Sequence, residues 1–248
     1  MGSSNSLVER FSPTATPNLG TIVITDKNRR LINAFIKEAR EPDEFRKNGL
    51  PRRATLLLRG PSGVGKVHTA HAIANELALD TCLVKTPLIF ADGENELRNL
   101  DTVFKMIIDE KALYIIEDCF DSTFRLSLRH FNMMASMLKV NREFAQSIVI
   151  LTSTRKSVDD SPLLQATDLY MTFPMPDEAA LKELFNIYLP GYSEFAESSR
   201  VVNTCMEMAH SEISRALKQV RFESVATGNK ITFGQVLNAL VDTLVVNS

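Results

Sequence analysis

Short apolar runs alternate with amphipathic stretches over the first two thirds of the chain. Helical periodicity is found in HTAHAIANELAL, ENELRNLDTVFKMIIDEK and FRLSLRHFNMMASMLK. The apolar runs between these stretches have the length of buried strands and read ATLLLRG, TCLVKTP, ALYIIEDCF, SIVILTSTR and LYMTFPMP. Because apolar strands that alternate with helices are typical of parallel sheets covered on both faces, the pattern predicts an α/β fold, a parallel sheet sandwiched by helices.

The N-terminal part of the chain precedes this alternation. Residues 1–25 are rich in Ser, Thr and Pro, and we expect them to form a flexible N-terminal arm. Residues 26–50 are expected to form a helical linker, since they contain one apolar stripe at helical spacing, made by Leu31, Ile32, Phe35 and Ile36. The α/β core is therefore expected over residues 51–176.

The pattern changes again after the sequence FPMP. From Asp177 onward every segment has helical periodicity, and we expect residues 177–248 to form a small all-helical domain. Ser211 and Thr232 each precede an apolar-periodic stretch and are expected to be helix N-caps, because their hydroxyls can accept a free backbone N–H.

Composition narrows the classes of function. The chain has 248 residues, 44% of them hydrophobic, and a net charge of −2. It lacks the basic excess used for non-specific nucleic-acid binding, which leaves only a local basic patch open. No apolar run approaches the ~18 residues of a membrane span. Because its three cysteines, Cys82, Cys119 and Cys205, show no metal or disulfide spacing, we expect a cytoplasmic protein.

The segment GPSGVGK, Gly60–Lys66, lies directly between a predicted strand and a predicted helix. In this context its glycines let successive backbone N–H groups face one anion at the positive end of the helix. Lys66 would carry its charge to the β- and γ-phosphates. The sequence therefore predicts a phosphate-binding loop, and the residues expected to bind the nucleotide are Gly60, Pro61, Ser62, Gly63, Val64, Gly65, Lys66, Val67 and His68.

The apolar run ALYIIED ends in two acids, Glu117 and Asp118, about fifty residues after the loop. In phosphate-loop proteins this position holds the magnesium carboxylate and the acid that activates water. Charged residues are also common at the solvated end of a strand. The order of the elements favours a catalytic interpretation for both acids, with Glu117 as the magnesium ligand.

These motifs resemble those of AAA+ ATPases of the AAA type. The resemblance runs from about Gly49 to the C-terminus through GLPRRATLLLRGPSGVGKVHTAHAIANEL, LYIIED, SIVILTSTRKSVDDSPLL, FPMPDEAALKELFNIYL and HSEISRALKQV. It implies an ATP-binding module that assembles with other AAA+ subunits into a ring or helix. It also implies that ATP or ADP is held between the α/β core and a helical lid.

Two departures from the family's pattern concern the metal. Val67 stands where the family has Ser or Thr, whose hydroxyl is a magnesium ligand that a methyl group cannot replace. Magnesium binding is therefore expected to be possible but weakened. The acids stand in reverse order, and Asp118, in the slot of the water-activating Glu, would be about 1 Å short, a misplacement that can cost about a hundredfold in rate.

Two further departures concern catalysis. Thr154 stands where the family has a sensor Asn, so that a hydroxyl replaces an amide. Gln165 and Ala166 stand where it has arginines that reach the neighbouring subunit's site, and such an arginine can be worth ~10³–10⁵ in rate. Arg155 and Arg129 are possible substitutes on sequence grounds.

These departures predict a degenerate member of the family, a nucleotide-binding assembly or regulatory subunit with weak or absent hydrolysis. Three alternatives stay open: an active ATPase that remodels a protein partner, an inert scaffold in a mixed AAA+ assembly, and a nucleic-acid-linked regulator. Phe90 is the only aromatic residue where related unfoldases carry a pore loop, and a core position before a turn at Asp92–Gly93 is the simpler interpretation. The pair His68 and His71 lacks a third metal ligand.

Overall fold

A computed structural model describes residues 7–14, 17–90, 95–119, 127–154 and 162–247 of the chain. They form two compact units. The first contains the described residues of 1–22, 26–60 and 66–172, and the second contains 23–25, 61–65 and the chain from Phe173 onward.

The first unit is built on a mixed sheet with the order β1-β3-β4-β5-β2-β6. Its strands are β1 (Val8–Phe11), β2 (Thr55–Arg59), β3 (Thr81–Val84), β4 (Leu113–Ile116), β5 (Ile148–Ser153) and β6 (Leu169–Thr172). Every pairing except that of β1 with β3 is parallel. All residues of β4 and β5 are buried, as expected for central strands of a covered parallel sheet. The predicted α/β class is confirmed.

Helices connect and flank these strands. They are α1 (Asp26–Arg40), α2 (Pro42–Lys47), α3 (Lys66–Glu76), α4 (Thr86–Phe90), α5 (Glu96–Asp109), α6 (Leu128–Phe144) and α7 (Pro162–Gln165). The main core lies where the sheet meets α5 and α6, with Phe104, Tyr114 and Leu138 fully buried. The end of α6 is held by the Arg52 guanidinium, which donates to the carbonyls of Asn141 and Ala145 at 3.0 and 2.6 Å.

Strand β1 corrects the expectation of a flexible arm for Val8–Phe11. It pairs antiparallel with β3 at the edge of the sheet. The Arg10 guanidinium forms ion pairs with Asp80, at 3.1 Å, and with Glu110. Only Val8 of this strand is buried, so the sequence contains no alternating pattern from which the strand could be predicted.

The second unit is helical beyond Phe173, as the sequence predicts. It contains α8 (Glu178–Tyr188), a 3₁₀ helix (Ser193–Glu197), α9 (Ser199–Cys205), α10 (His210–Thr227) and α11 (Phe233–Asn247). Its core is formed by apolar residues spaced three or four apart on these helices, among them Phe185, Val201, Ile213, Leu217, Val236 and Leu240.

One of the two predicted N-caps is wrong. Helix α10 begins at His210, with Ala209 as its N-cap, so Ser211 lies inside the first turn. The Glu212 carboxylate accepts the Ala209 N–H at 2.6 Å, which stabilises this end without a capping hydroxyl. Thr232 does cap α11, since its hydroxyl accepts the Gln235 N–H at 3.4 Å.

Candidate functional site

The predicted phosphate-binding loop lies between the end of β2 and the start of α3. Gly63 and Gly65 have φ angles of +74° and +93°, in the left-handed region where a side chain is strained. The Gly60 N–H donates to the Ser153 carbonyl at 3.0 Å, which attaches the first residue of the loop to the end of β5. Pro61 and Ser62 are exposed, and the Val64 side chain is only 1% exposed. The glycines thus permit a turn that a chain with side chains at 63 and 65 would adopt only with strain.

Gly63 also makes a close approach to α10. The Ser211 N–H donates to the Gly63 carbonyl at 2.9 Å. A Cβ atom on Gly63 would lie 2.3 Å from the Ser211 hydroxyl and 3.0 Å from the Ala209 Cβ. Glycine is therefore required at this position by its neighbours as well as by its backbone conformation.

Lys66 begins α3 and is only 7% exposed. Its ammonium donates to the Gly60 carbonyl at 2.7 Å, which is the carbonyl at the start of the same loop. Burial lowers the pKa of Lys66, and the carboxylates of Asp118 and Glu117 act in the opposite direction. The side chain is thus a partly desolvated positive charge beside a glycine-rich loop and two acids.

The two acids follow β4 directly. The pairing of Ile116 with Leu151 aligns the ends of β4 and β5, and Thr86 donates from its hydroxyl to the Glu117 carbonyl at 3.1 Å. The pKa of Glu117 is raised, first by burial and then by the charge of Asp118, while Lys66 opposes the rise. The charges of Glu117, Asp118 and Lys66 therefore act on one another at this end of β4.

Asp118 has an unusual backbone. Its φ angle is +44°, and its N–H donates to the Thr152 hydroxyl at 3.0 Å. The next amide, of Cys119, donates to the Thr152 carbonyl at 3.2 Å. One carboxylate oxygen of Asp118, Oδ1, is buried without a hydrogen-bond partner among the described residues. Such an atom normally has a partner, which makes it a candidate for contact with a ligand.

These residues fit a nucleotide phosphate well and magnesium only in part. The glycine turn, the buried Lys66 and the Asp118 carboxylate are what a phosphate with its metal ion requires. Within the described ranges, no three His, Cys, Asp or Glu side chains are grouped to hold a metal ion. Magnesium needs fewer protein ligands, since one or two carboxylates and the substrate phosphates suffice. Val67, in the first turn of α3, contributes no oxygen.

The remaining positions that the sequence relates to catalysis are less suited to that role. Thr154 is exposed and follows Ser153, whose carbonyl accepts the Gly60 N–H, so it lies at the correct edge of the sheet. Gln165 is exposed at the end of α7. Ala166 is only 3% exposed and belongs to the main core, where an arginine would not fit without rearrangement. Arg129 is exposed near the start of α6, and Arg155 lies outside the described residues.

Asp168 has a structural role. One of its carboxylate oxygens accepts the N–H groups of Ala54 and Thr55 at 2.8 and 2.9 Å, and the other pairs with Arg142 at 2.9 Å. These bonds connect the start of β2 to the start of β6. Both carboxylate oxygens of Asp168 therefore form bonds near the starts of β2 and β6, and not with the two acids that follow β4.

Phe90, His68 and Cys119 differ in their exposure. Phe90 is 9% exposed at the end of α4 and contacts the His130 ring edge-to-face at 5.7 Å, while Asp92–Gly93 lie outside the described residues. His68 is exposed on α3. Cys119 is buried, and burial raises the pKa of its thiol. Sequence reasoning missed Thr152, whose role depends on a contact with Asp118, 34 residues away.

These features define a P-loop nucleotide-binding protein. They are a strand, a glycine-rich turn, a buried lysine at the start of the next helix, and acids at the end of a nearby strand. The comparison with known families is more specific. Residues 56–175 match the ATPase family associated with various cellular activities (AAA), and this part of the chain belongs to that family.

Named relatives extend the similarity. An uncharacterised AAA family ATPase, y4kL, of Sinorhizobium fredii is 26% identical over 86% of this chain and 70% of its own length. A cell division cycle protein 48 homologue of Archaeoglobus fulgidus is 27% identical over 66% of this chain and 24% of its own. A proteasome-activating nucleotidase of Methanopyrus kandleri is 24% identical over 66% and 41%. The chain thus spans less than half of the latter two proteins. None of the described helices has the length and apolar character of a membrane span.

Proposed function

We propose that this chain binds ATP or ADP through the loop Gly60–Val67 and hydrolyses it weakly or not at all. The main support for this proposal is Lys66, a buried ammonium at the N-terminus of α3 beside an intact glycine turn. A buried ammonium that already donates to a carbonyl of the loop is suited to donate to a phosphate oxygen as well. The family match of residues 56–175 supports the same ligand.

Different residues of the chain would bind the phosphate and the metal ion. Lys66 would exchange the Gly60 carbonyl for phosphate oxygens, and the N–H groups of the turn would surround the same anion. Glu117 and Asp118 would face the metal ion or its water ligands. Magnesium, when bound with the nucleotide, neutralises the phosphate charge. We further propose that α10 is part of a lid over the nucleotide, a role supported by the bond from Ser211 to Gly63.

Weak hydrolysis is proposed from the residues present at four positions. Val67 supplies no metal ligand, and Asp118 is one methylene shorter than the Glu of the family. Gln165 and Ala166 supply no cation for a neighbouring site, and Ala166 is committed to the core. Because an arginine at such a position can contribute ~10³–10⁵ in rate, this change is expected to be the largest defect.

We also propose that the protein acts as an assembly or regulatory subunit within an oligomer, with other AAA+ chains as partners. Support comes from the family, whose members are typically oligomeric. Light scattering with and without nucleotide tests this part of the proposal. A chain that stays monomeric under both conditions, alone and with candidate AAA+ partners, would contradict it.

Calorimetric titration tests the binding itself. Wild-type protein is titrated with ATP and with ADP, each with magnesium and with EDTA, and Lys66→Met is the matched control because it keeps most of the aliphatic side chain. We expect dissociation constants well below about 1 mM for wild type and no measurable heat for the variant. Equal weak binding by both proteins would overturn the proposal and favour an inert scaffold.

One observation favours an active ATPase as the second candidate. The Asp118 Oδ1 is buried without a hydrogen-bond partner in the described part of the chain, its carboxylate acts on the charge of Lys66, and a working site places a carboxylate there. Steady-state phosphate release separates the two candidates. Rapid turnover that Lys66→Met abolishes would establish the active enzyme, and turnover at the level of that variant supports the degenerate one.

A further inference from the structure

We infer that Thr152 is a positioning residue that holds Asp118 in its left-handed conformation and so aims the Asp118 carboxylate at the magnesium–phosphate position. This inference rests on the proposed nucleotide binding and concerns the metal-dependent part of it. Thr152 lies on β5, only 2% exposed, and no motif in the sequence assigns it a role.

The contact replaces a regular strand pairing. Strands β4 and β5 pair in parallel up to Ile116 and Leu151. Beyond that point the amides of Asp118 and Cys119, which follow β4, both donate to Thr152. The Asp118 N–H donates to the Thr152 hydroxyl at 3.0 Å, and the Cys119 N–H donates to the Thr152 carbonyl at 3.2 Å. Thr152 therefore satisfies both amides at the bend that follows β4.

The bend is costly for the residue that adopts it. Asp118 has a φ angle of +44°, and a side chain in this region is strained. Aspartate is one of the few residue types that tolerate it. A partly buried amide that lost its acceptor would favour a backbone conformation in which it can bond elsewhere. The hydroxyl of Thr152 thus provides a local reason for the bend to persist.

The direction of the carboxylate depends on this bend. The Asp118 Oδ1 is buried and has no hydrogen-bond partner among the described residues, so no hydrogen bond of that oxygen within this part of the chain fixes its position. The backbone conformation of Asp118 therefore has a large part in orienting the carboxylate. Because the side chain is one methylene shorter than Glu, a change in the backbone moves the carboxylate relative to Lys66 with little possibility of side-chain compensation.

Three variants separate this role from simple packing. Thr152→Val keeps the shape and removes the acceptor, whereas Thr152→Ser keeps the acceptor and removes the methyl group. Thr55→Val is the matched control, since Thr55 is a buried strand threonine of the same sheet whose hydroxyl has no partner among the described residues. Two quantities are measured: hydrogen exchange of the Asp118 amide without ligand, and ATP affinity with magnesium and with EDTA.

We expect exchange at Asp118 to be faster by about fivefold or more in Thr152→Val than in wild type, Thr152→Ser and Thr55→Val. We expect the gain in affinity from magnesium to fall by a similar factor in Thr152→Val alone, while affinity in EDTA is unchanged. Thr152→Val with unchanged exchange or unchanged magnesium gain would overturn the inference. Equal losses in Thr152→Ser would also overturn it. If wild type binds no nucleotide in either buffer, the proposed function fails, and the exchange data still decide whether Thr152 holds Asp118.

Discussion

The Ser211 N–H donates to the Gly63 carbonyl at 2.9 Å, so the first turn of α10 is attached directly to the middle of the glycine-rich loop. The first N–H groups of any helix lack partners within the helix, and here the loop supplies one. The contact leaves no space for a side chain at position 63. A conformational change in the loop would therefore change the environment of the α10 N-terminus.

Alanine substitutions in the loop measure this contact. Both Gly63 and Gly65 have positive φ angles, but only Gly63 has neighbours within 4 Å of a new Cβ. Gly65→Ala is expected to lose about 1–2 kcal/mol of unfolding free energy from backbone strain. Gly63→Ala is expected to lose a further 1–3 kcal/mol, roughly the cost of overpacking. Urea denaturation measures both values, and equal losses would show that the Ser211 contact does not constrain position 63.

Arginines restored at positions 165 and 166 should behave differently. Gln165 is exposed, so Gln165→Arg is expected to change the free energy of unfolding by less than about 0.5 kcal/mol. Ala166 is in the core, and Ala166→Arg is expected to cost more than about 3 kcal/mol because it buries an unpaired charge. Denaturant unfolding of the two variants tests this contrast. A stable Ala166→Arg protein would remove the structural reason for the missing arginine.

His71 predicts a dependence of stability on pH. Burial lowers its pKa from the ordinary value of 6.5, and its ring packs edge-to-face against Phe11 at 5.8 Å. Below pH 6.5 the unfolded chain therefore takes up a proton that the folded chain resists, and stability falls as the pH is lowered toward the folded pKa. His71→Leu is expected to show a shallower fall between pH 7 and pH 5, by at most about 1.4 kcal/mol per pH unit.

Unfolding free energies of wild type and His71→Leu at several pH values check this sign. Above pH 7 His71 is neutral in both the folded and the unfolded chain, so the two proteins should show parallel curves of unfolding free energy against pH there. Parallel curves below pH 6.5 as well would show that burial does not shift the titration of His71.

The loop and the acid pair were predictable because each is a local sequence motif whose position in the order of elements fixes its place at the sheet edge. The strands of the parallel sheet were predictable for a similar reason, since their apolar runs are continuous. Contacts between distant residues were not. Strand β1 is exposed on most of its length, the N-cap of α10 lacks a hydroxyl, and Thr152 contacts a residue in the turn that follows another strand.

Val67→Thr tests which defect limits the site. The hydroxyl restores a potential metal ligand in the first turn of α3, so the affinity for ATP with magnesium is expected to rise severalfold. Hydrolysis is expected to rise little, even when Glu117→Asp and Asp118→Glu are added, because no arginine is restored. Calorimetry and phosphate release measure the two effects. A large rise in turnover would show that metal coordination, not the missing cation, limits catalysis.

A single-turnover incubation tests whether this chain holds nucleotide without cleaving it. Protein in excess over labelled ATP and magnesium is incubated for many minutes, and the nucleotide recovered from the protein is identified, with Lys66→Met as the control that should retain none. We predict that the label bound to wild type is recovered as intact ATP. Rapid conversion of most of the bound label to ADP, at a rate that depends on Lys66, would contradict the proposal.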